Sequence, residues 1–383
     1  MINLPVEARL TEYLHNKAAL AGVPLNGTFE LTPCCNMSCK MCYVRLTGPQ
    51  QQALGPLKTA DQWLELAEQL RREGMLFLLL TGGEPFVHPQ FREILEGLHK
   101  MGLIVSVNTN GTLITPETVR WLRECPPSRF NITLYGASDE TYGRLCNNPH
   151  GFTQVTEAIR LLTEAGMTVK LNCSVTPYNC GDLEGIFDYA DRNDLRIQAT
   201  SYMFPPVRRD EHMIGQNDRF SPEEAAYQAA KIQALLNGRE RFLRDMAEHA
   251  PMQIPGDVGE DCPELPDQGD GIQCRAGKCS FWVTWQGQLM PCGMFPTKDA
   301  PNVFDRGFLP CWEQVRRTVR EIRLPRACAA CPVKDECRAC AAMVYTETGS
   351  FDRVPKYRCQ MEQAFLPACR RLERELQQKE REE

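Results

Sequence analysis

The stretch from residue 28 to residue 43, TFELTPCCNMSCKMCY, decides the fold of this chain. Its first half is a short apolar run that predicts a buried strand over 29–32. Its second half places Cys35, Cys39 and Cys42 on the loop after this strand. In parallel α/β folds, ligands bind at this end of the strands. Spacings of four and three residues allow one tight loop to wrap three thiolates around an iron–sulfur cubane. Three thiolates leave one iron open to chelate a small molecule.

Outward from this loop, apolar runs alternate with amphipathic segments of helical length as far as about residue 200. The runs predict six strands, over 29–32, 76–80, 104–108, 130–134, 168–175 and 195–201. The segments between them predict helices over 60–72, 90–101, 116–124, 152–165 and 183–192. Consecutive βα units predict an α/β fold, a partial (β/α)6 TIM-like barrel with a parallel sheet.

The rest of the sequence divides by composition. Residues 1–25 predict an N-terminal helical extension, and residues 26–250 the barrel, closed by a long helix from Ser221 to about residue 249. Pro, Gly and Asp are frequent over 251–271, which is typical of a linker. Over 272–369, periodicity fades while cysteines become dense, which predicts a small iron–sulfur module held together by metal. Residues 370–383 are almost wholly charged or polar and predict a solvated helix or frayed tail.

Composition excludes two kinds of partner. The 383 residues carry a formal net charge of −6 from interspersed acids and bases, so no broad basic face is available to nucleic acid. No stretch approaches the roughly 18 apolar residues of a membrane span, so no membrane is expected. Residues 1–21 lack the apolar run of a signal peptide, which favours a cytoplasmic protein. In a reducing cytosol, 19 cysteines indicate metal ligation rather than disulfides.

Zinc is the alternative for the first cysteine group. A structural zinc site needs a fourth protein ligand. Neither a His nor an Asp lies close in the sequence, although Cys34 can serve. Because a site that used Cys34 would have a different loop spacing, we interpret this residue as a structural neighbour.

The cysteine triplet resembles that of the radical S-adenosylmethionine (SAM) enzymes, in which an aromatic residue usually follows, as Tyr43 does here. The resemblance covers about residues 26–250 and includes the glycine-rich turn after the second strand. It implies a [4Fe-4S] cluster bound by the three cysteines, with S-adenosyl-L-methionine on the open iron. It also implies that the turn orients the amino group of the methionine moiety. The turn residues are Gly82, Gly83, Glu84 and Pro85.

Two further segments resemble parts of that family which contact the ribose and the carboxylate. They are 108–111, with Asn110, and 131–136, with Thr133; Arg144 is the cationic candidate. Plainer interpretations exist, because Asn110 before a glycine is also a turn signal and Arg144 can be a surface residue. Tyr43 can likewise be a packing residue.

The C-terminal cysteines resemble the SPASM extension of peptide-modifying members of the family. The resemblance implies two auxiliary [4Fe-4S] clusters, the first on Cys274, Cys279, Cys292 and Cys340 and the second on Cys328, Cys331, Cys337 and Cys359. Cys340 departs from the usual spacing, and Cys311 and Cys369 are its substitutes. Two zinc sites would also use eight thiolates. The other cysteines, such as Cys125, Cys146, Cys173 and Cys180, are interpreted as small apolar residues.

The resemblance implies a 5'-deoxyadenosyl radical that oxidatively modifies a ribosomally made peptide, with an external electron donor of the flavodoxin or ferredoxin type. Sulfatase maturation is disfavoured, because Gly293 stands where such members typically carry an Asp general base. Tyr202, Arg208 and Arg209 are the candidates for facing the substrate, or else a core residue and two solvated arginines. The alternatives are a radical SAM enzyme for a small metabolite or cofactor precursor, and a zinc-stabilised scaffold without catalysis.

Overall fold

The sheet of this protein has eight strands in the part of the chain that the structure describes. The structure is a computed structural model and describes residues 10–248 and 268–382. The strands are β1 (Asn26–Glu30), β2 (Phe77–Thr81), β3 (Ile104–Thr109), β4 (Arg129–Thr133), β5 (Val169–Ser174), β6 (Arg196–Thr200), β7 (Ser280–Val283) and β8 (Leu289–Met290). From β1 to β6 each strand pairs in parallel with the next, which confirms the predicted α/β barrel topology. The carboxyl ends of these strands therefore lie along one edge.

Helices follow each of the first five strands and cover the sheet. The helices are α1 (Leu10–Ala21), α2 (Gly48–Leu54), α3 (Ala60–Arg72), α4 (Phe91–Lys100), α5 (Pro116–Leu122), α6 (Asp139–Cys146), α7 (Gly151–Glu164), α8 (Leu183–Arg192), α9 (Pro222–Asn237), α10 (Arg239–Glu248), α11 (Val303–Arg306), α12 (Phe308–Glu321), α13 (Arg326–Ala329), α14 (Lys334–Cys337), α15 (Ala341–Thr348) and α16 (Lys356–Glu382). Several helix starts have side-chain caps; Thr59, for example, accepts a hydrogen bond from the Gln62 backbone N–H. No described helix is both long and apolar enough to cross a bilayer.

The sequence did not predict that the C-terminal module extends the barrel sheet. β7 pairs in parallel with β1, and β8 pairs antiparallel with β7. Gly27 makes this pairing close, because a Cβ atom there would lie 2.6 Å from the Phe281 ring. The module is thus continuous with the barrel through β1, the strand that leads into the cysteine loop.

The predicted closing helix is wrong in one respect, because it consists of α9 and α10, which are separated by Gly238. Gly238 has a φ of 81°, a left-handed conformation that ends a helix. The predicted tail is the last part of α16, which packs on α9 and α10. Tyr227 of α9 donates a hydrogen bond to Glu375, and Arg239 of α10 donates one to the Leu376 carbonyl. The expected linker lies outside the described residues as far as residue 267, as do residues 1–9 of the N-terminal extension.

Candidate functional site

The three cysteines of the first group lie together on the loop after β1. The Cys35 thiol is electrostatically coupled to both Cys39 and Cys42. Backbone amides of the same loop point at the sulfurs: Met37 N–H donates to Cys35 Sγ at 3.3 Å, and Arg45 N–H donates to Cys42 Sγ at 3.3 Å. Hydrogen bonds of this kind favour thiolates and tune the reduction potential of a cluster.

Burial keeps these sulfurs protonated unless a metal displaces the proton. It raises the pKa of Cys35 to about 12, and it also raises the pKa of Cys42. The pKa of Cys39 is raised first by a hydrogen bond with the Cys146 side chain and then by burial. Only thiolates bind metal, so a metal that binds here must displace the protons of these thiols.

Helix α6, which the sequence analysis missed, supports the cysteine loop. The amide of Ser38 donates to the Cys146 carbonyl at 2.9 Å, and the amide of Lys40 donates to the Leu145 carbonyl at 3.1 Å. These acceptors belong to the last turn of α6, whose carbonyls have no partner within the helix. Cys146 is fully buried as predicted, but it also contacts a residue of the candidate cluster site.

The glycine turn after β2 packs against the same loop. Gly83 N–H donates to the Thr32 carbonyl at 2.7 Å, and Glu84 N–H donates to the Cys34 carbonyl at 2.9 Å. A Cβ atom at Gly82 would lie 2.5 Å from the Thr32 oxygen, and one at Gly83 would lie 2.4 Å from the Cys34 oxygen. Here the glycines allow close approach of the protein's own backbone, which joins the turn to the residue before Cys35.

Glu84 is a buried carboxylate that retains one free acceptor position. Its side chain accepts hydrogen bonds from Thr109 Oγ1 at 2.8 Å, from the backbone N–H of Asn110 at 2.7 Å and from the backbone N–H of Phe86 at 3.2 Å. A carboxylate offers about four acceptor positions, so these donors leave about one for a ligand. Burial raises the pKa of Glu84 to about 7 in spite of the hydrogen bonds, which act in the opposite direction.

Asn110 connects the end of β3 to the first cysteine. Its Nδ2 donates to Asn36 Oδ1 at 2.9 Å and lies 3.6 Å from Cys35 Sγ. Its Oδ1 accepts from the Thr112 amide at 3.0 Å. Asn110 therefore belongs to the cysteine site, although its amide already has partners within the protein.

Thr133 ends β4 on the same edge of the sheet, whereas Arg144 lies on α6. The Thr133 carbonyl accepts from the Tyr142 hydroxyl at 3.4 Å. The Arg144 guanidinium donates to the Tyr178 carbonyl at 2.7 Å and is half-exposed. Their contacts with the methionine carboxylate and the ribose stay predictions.

The four cysteines predicted for the first auxiliary cluster lie near one another. Cys274 is electrostatically coupled to Cys279, Cys292 and Cys340, and Cys292 is also coupled to Cys340. Cys340 thus lies with its predicted partners in spite of its unusual spacing. Cys311 instead donates to the Asn302 carbonyl at 3.4 Å. Cys369 is buried within α16.

The second predicted set also lies together. Cys328 is coupled to Cys331, Cys337 and Cys359, and burial raises its pKa to about 12. All four line a cavity of about 760 Å³ that Cys274 and Cys340 also line. In the described ranges, no three His, Cys, Asp or Glu side chains are close enough to hold one metal ion.

Two of the candidates for facing the substrate have partners inside the protein. The Tyr202 hydroxyl donates to Glu347 at 2.6 Å, and Tyr202 is buried. The Arg208 guanidinium forms a buried ion pair with Glu30. Arg209 is exposed and donates to the Cys42 carbonyl at 2.7 Å, so it contacts the cysteine loop.

Comparison with known proteins agrees with this arrangement. The sequence profile of the Radical SAM superfamily matches residues 29–190, from the strand before the cysteine loop to α8. Residues 29–190 carry the radical SAM domain. As a radical SAM enzyme, the protein uses SAM and a [4Fe-4S] cluster as cofactors.

Relatives of this radical SAM enzyme have different named roles. It is 27% identical to the AdoMet-dependent heme synthase of Methanosarcina barkeri, over 87% of this chain and 95% of that protein. It is 28% identical to the subtilosin biosynthesis protein AlbA of Bacillus subtilis, over 82% of this chain and 65% of AlbA. It is 28% identical to the mycofactocin maturase MftC of Mycobacterium ulcerans, over 82% of each chain. The structure of Streptococcus suis SuiB bound to its precursor peptide SuiA shares the fold, with a TM-score of 0.65 and 16% identity over 93% of this chain and 82% of SuiB.

Proposed function

We propose that this enzyme carries three iron–sulfur clusters and oxidatively modifies a ribosomally made peptide. The observation that supports this best is the grouping of eight C-terminal cysteines into two sets of four, one of which reaches the cysteine loop of the barrel. Tyr43, directly after Cys42, is electrostatically coupled to Cys292 of the first set. A radical site with a neighbouring electron acceptor suits a net oxidation.

Cys35, Cys39 and Cys42 are the proposed ligands of the SAM-binding cluster. The donor set suits the group, because three thiols with amide donors on two sulfurs can hold a cubane and leave one iron open. A cluster held by these residues would supply one-electron reductive cleavage of SAM to methionine and a 5'-deoxyadenosyl radical, the species that would remove a hydrogen atom from the substrate. The residues of this chain hold the reactants and limit the access of water.

Glu84 is the proposed partner of the SAM amino group. It lies in the turn that contacts Cys34, and its remaining acceptor position suits an ammonium N–H. Gly82, Gly83 and Pro85 shape this turn. Asn110, Thr133 and Arg144 are proposed for the ribose and carboxylate, and Tyr43 for the wall of the site.

The two auxiliary sets supply the second half of an oxidation. Loss of a hydrogen atom removes one electron and one proton from the substrate. A net two-electron oxidation requires that a second electron and a second proton leave. Cys274, Cys279, Cys292 and Cys340 would hold a cluster that could accept the second electron. Cys328, Cys331, Cys337 and Cys359 would hold a second cluster that could pass it on. A flavodoxin or ferredoxin exchanges electrons with the protein.

Anaerobic reconstitution followed by co-expression tests the proposal. We expect about twelve irons per chain and dithionite-dependent 5'-deoxyadenosine. Co-expression with a short peptide encoded beside the gene should lower the peptide mass by about two hydrogens per oxidation, and a Cys35→Ala, Cys39→Ala, Cys42→Ala control should leave it unchanged. Zinc in place of iron, or no SAM cleavage by the iron-loaded protein, would contradict the radical chemistry.

A second candidate, heme formation, is supported by the similarity to heme synthase over 95% of that protein. Both candidates are radical SAM reactions that the same reconstituted protein can test. This candidate would be favoured if expression of the protein restored growth of a heme-deficient host, with heme detected by its absorbance and mass. An unmodified peptide together with heme formation would exclude the first.

A further inference from the structure

A single buried guanidinium joins the three segments around the candidate radical site. Arg208 follows β6, and its side chain is only 8% exposed. Its two terminal nitrogens donate to the two oxygens of Glu30, each at 3.0 Å. One of them also donates to the Gly293 carbonyl at 3.0 Å.

Each partner of Arg208 belongs to a segment that leads to or contains a proposed cluster ligand. Glu30 ends β1, directly before the cysteine loop, and Gly293 directly follows Cys292. The Tyr43 ring, next to Cys42, lies 5.8 Å from the guanidinium carbon. Arg208 thus contacts Glu30 before the first cluster loop, Tyr43 at the end of that loop, and Gly293 next to the auxiliary ligand Cys292.

Trp282 of β7 completes this group. Its indole N–H donates to Glu30 Oε2 at 3.1 Å, so the carboxylate has donors from both the barrel and the module. A Cβ atom at Gly293 would lie 2.8 Å from the Trp282 ring, so the Gly293 backbone is packed tightly under that ring. The auxiliary loop therefore has little freedom to shift relative to β1.

This ion pair is poorly explained as a stabilising contact. Taking both charges out of water is costly, and an apolar pair of similar volume is often as stable. Arg208 Nε is also buried without a hydrogen-bond partner within the described chain. What the pair does provide is fixed geometry, since the planar guanidinium bridges a carboxylate bidentately and reaches a carbonyl.

We propose that Arg208 is a positioning residue that fixes the separation between the cluster on Cys35, Cys39 and Cys42 and the auxiliary cluster that includes Cys292. This rests on the proposed function. Arg208 sets the electronic contact between the radical site and the first electron acceptor. Its charge lies next to Cys292, so it also raises the reduction potential of the auxiliary cluster.

Two variants separate geometry from charge. Arg208→Lys keeps the positive charge but loses the bidentate bridge, so the magnetic interaction between the reduced clusters should weaken while the auxiliary potential changes little. Arg208→Met removes the charge and leaves Glu30 unpaired, so the potential should also shift downward. Glu30→Gln should shift it upward, because Arg208 loses its counter-charge. The readouts are line broadening in the electron paramagnetic resonance spectrum of the dithionite-reduced protein and potentiometric titration.

Arg219→Lys is the matched control. Arg219 forms an equally buried pair with Glu347, with side chains 5% and 4% exposed, but it contacts neither the first cluster loop nor Gly293. It should lower stability as Arg208→Lys does, yet leave the magnetic interaction unchanged. If Arg208→Lys does not take up iron, Trp282→Phe removes only the bond to Glu30 and should weaken the interaction by a smaller amount.

This inference is overturned if iron-loaded Arg208→Lys shows the line broadening of the wild-type protein. If Arg208→Lys takes up no iron, the same result in Trp282→Phe overturns it. An equal loss in Arg219→Lys would do the same. Failure of the wild-type protein to form 5'-deoxyadenosine from SAM would instead count against the proposed function, so the two failures are distinguishable.

Discussion

The raised pKa of Glu84 predicts a bell-shaped pH dependence for SAM binding. Burial moves the Glu84 pKa from an ordinary value of 4.5 to about 7. Below that pH the carboxyl is neutral and cannot pair with the ammonium group of SAM. An α-amino group itself loses its proton at a pH of about 7.7–8.0. Binding should therefore be tightest between these values, at a pH of about 7.5.

The size of the acid limb follows from the fraction of Glu84 that is ionised. This fraction rises about tenfold between pH 6 and pH 8, which corresponds to about 1.4 kcal/mol of binding free energy. Glu84→Gln should bind SAM more weakly at pH 7.5 and should lose the acid limb while keeping the alkaline one. Equilibrium dialysis of labelled SAM against the reconstituted, oxidised protein measures both limbs. An acid limb of the same size in Glu84→Gln would refute the assignment of the amino group to Glu84.

The same shift predicts how stability changes with pH in the absence of SAM. Between pH 4.5 and about 7 the native state binds more protons than the unfolded state, so the free energy of unfolding falls as pH rises. The loss is complete above the folded-state pKa and amounts to about 3 kcal/mol. Urea unfolding of the cluster-free chain should show this loss of stability as pH rises. Glu84→Gln should lack the part of the loss that Glu84 causes.

Three further variants test the site. In Gly83→Ala the new Cβ would lie 2.4 Å from the Cys34 oxygen, so this variant should displace the cysteine loop, lose iron and lose about 1–3 kcal/mol of stability. In the control Gly143→Ala the nearest neighbour would lie at 3.6 Å, so this variant should keep its iron and gain up to about 1 kcal/mol of stability. Cys340→Ser should lose about four irons per chain and Cys311→Ser none, as measured by iron analysis; equal contents would contradict the proposed ligand set. Cys146→Ala should retain all iron, because Cys146 contacts Cys39 but is not a proposed ligand; a loss of about four irons would show that it is one.

Local sequence patterns predicted much of the fold. The helix over 60–72 and the six parallel strands follow from periodicity and caps, which are local properties. β7 was missed because four residues in a cysteine-rich segment give no period, and its partner β1 is about 250 residues away. α6 was missed because its eight residues make only about two turns and no proline marks its start, as Pro116 marks that of the seven-residue α5.

The candidate site was predictable where short spacings or turns carry it. The Cys35, Cys39 and Cys42 group follows from local spacing, and so does the glycine turn. The reason for the glycines was not predictable, because the Thr32 and Cys34 carbonyls that they approach belong to another strand end. The pairing of Arg208 with Glu30 spans 178 residues and leaves no local pattern in the sequence.

Glu30 and Glu84 differ in whether the protein supplies a positive charge to a buried carboxylate. Both are buried carboxylates, and they lie at or just after the ends of the neighbouring strands β1 and β2. Glu30 is neutralised by the Arg208 guanidinium, so its charge is already balanced within the protein. The Glu84 carboxylate accepts hydrogen bonds from two backbone amides and a hydroxyl, and burial raises its pKa to about 7. A carboxyl group in this position gains most from a cationic ligand, because the ligand supplies the charge that the protein supplies to Glu30. We therefore propose that Glu30 joins the barrel and the module and that Glu84 binds the ligand.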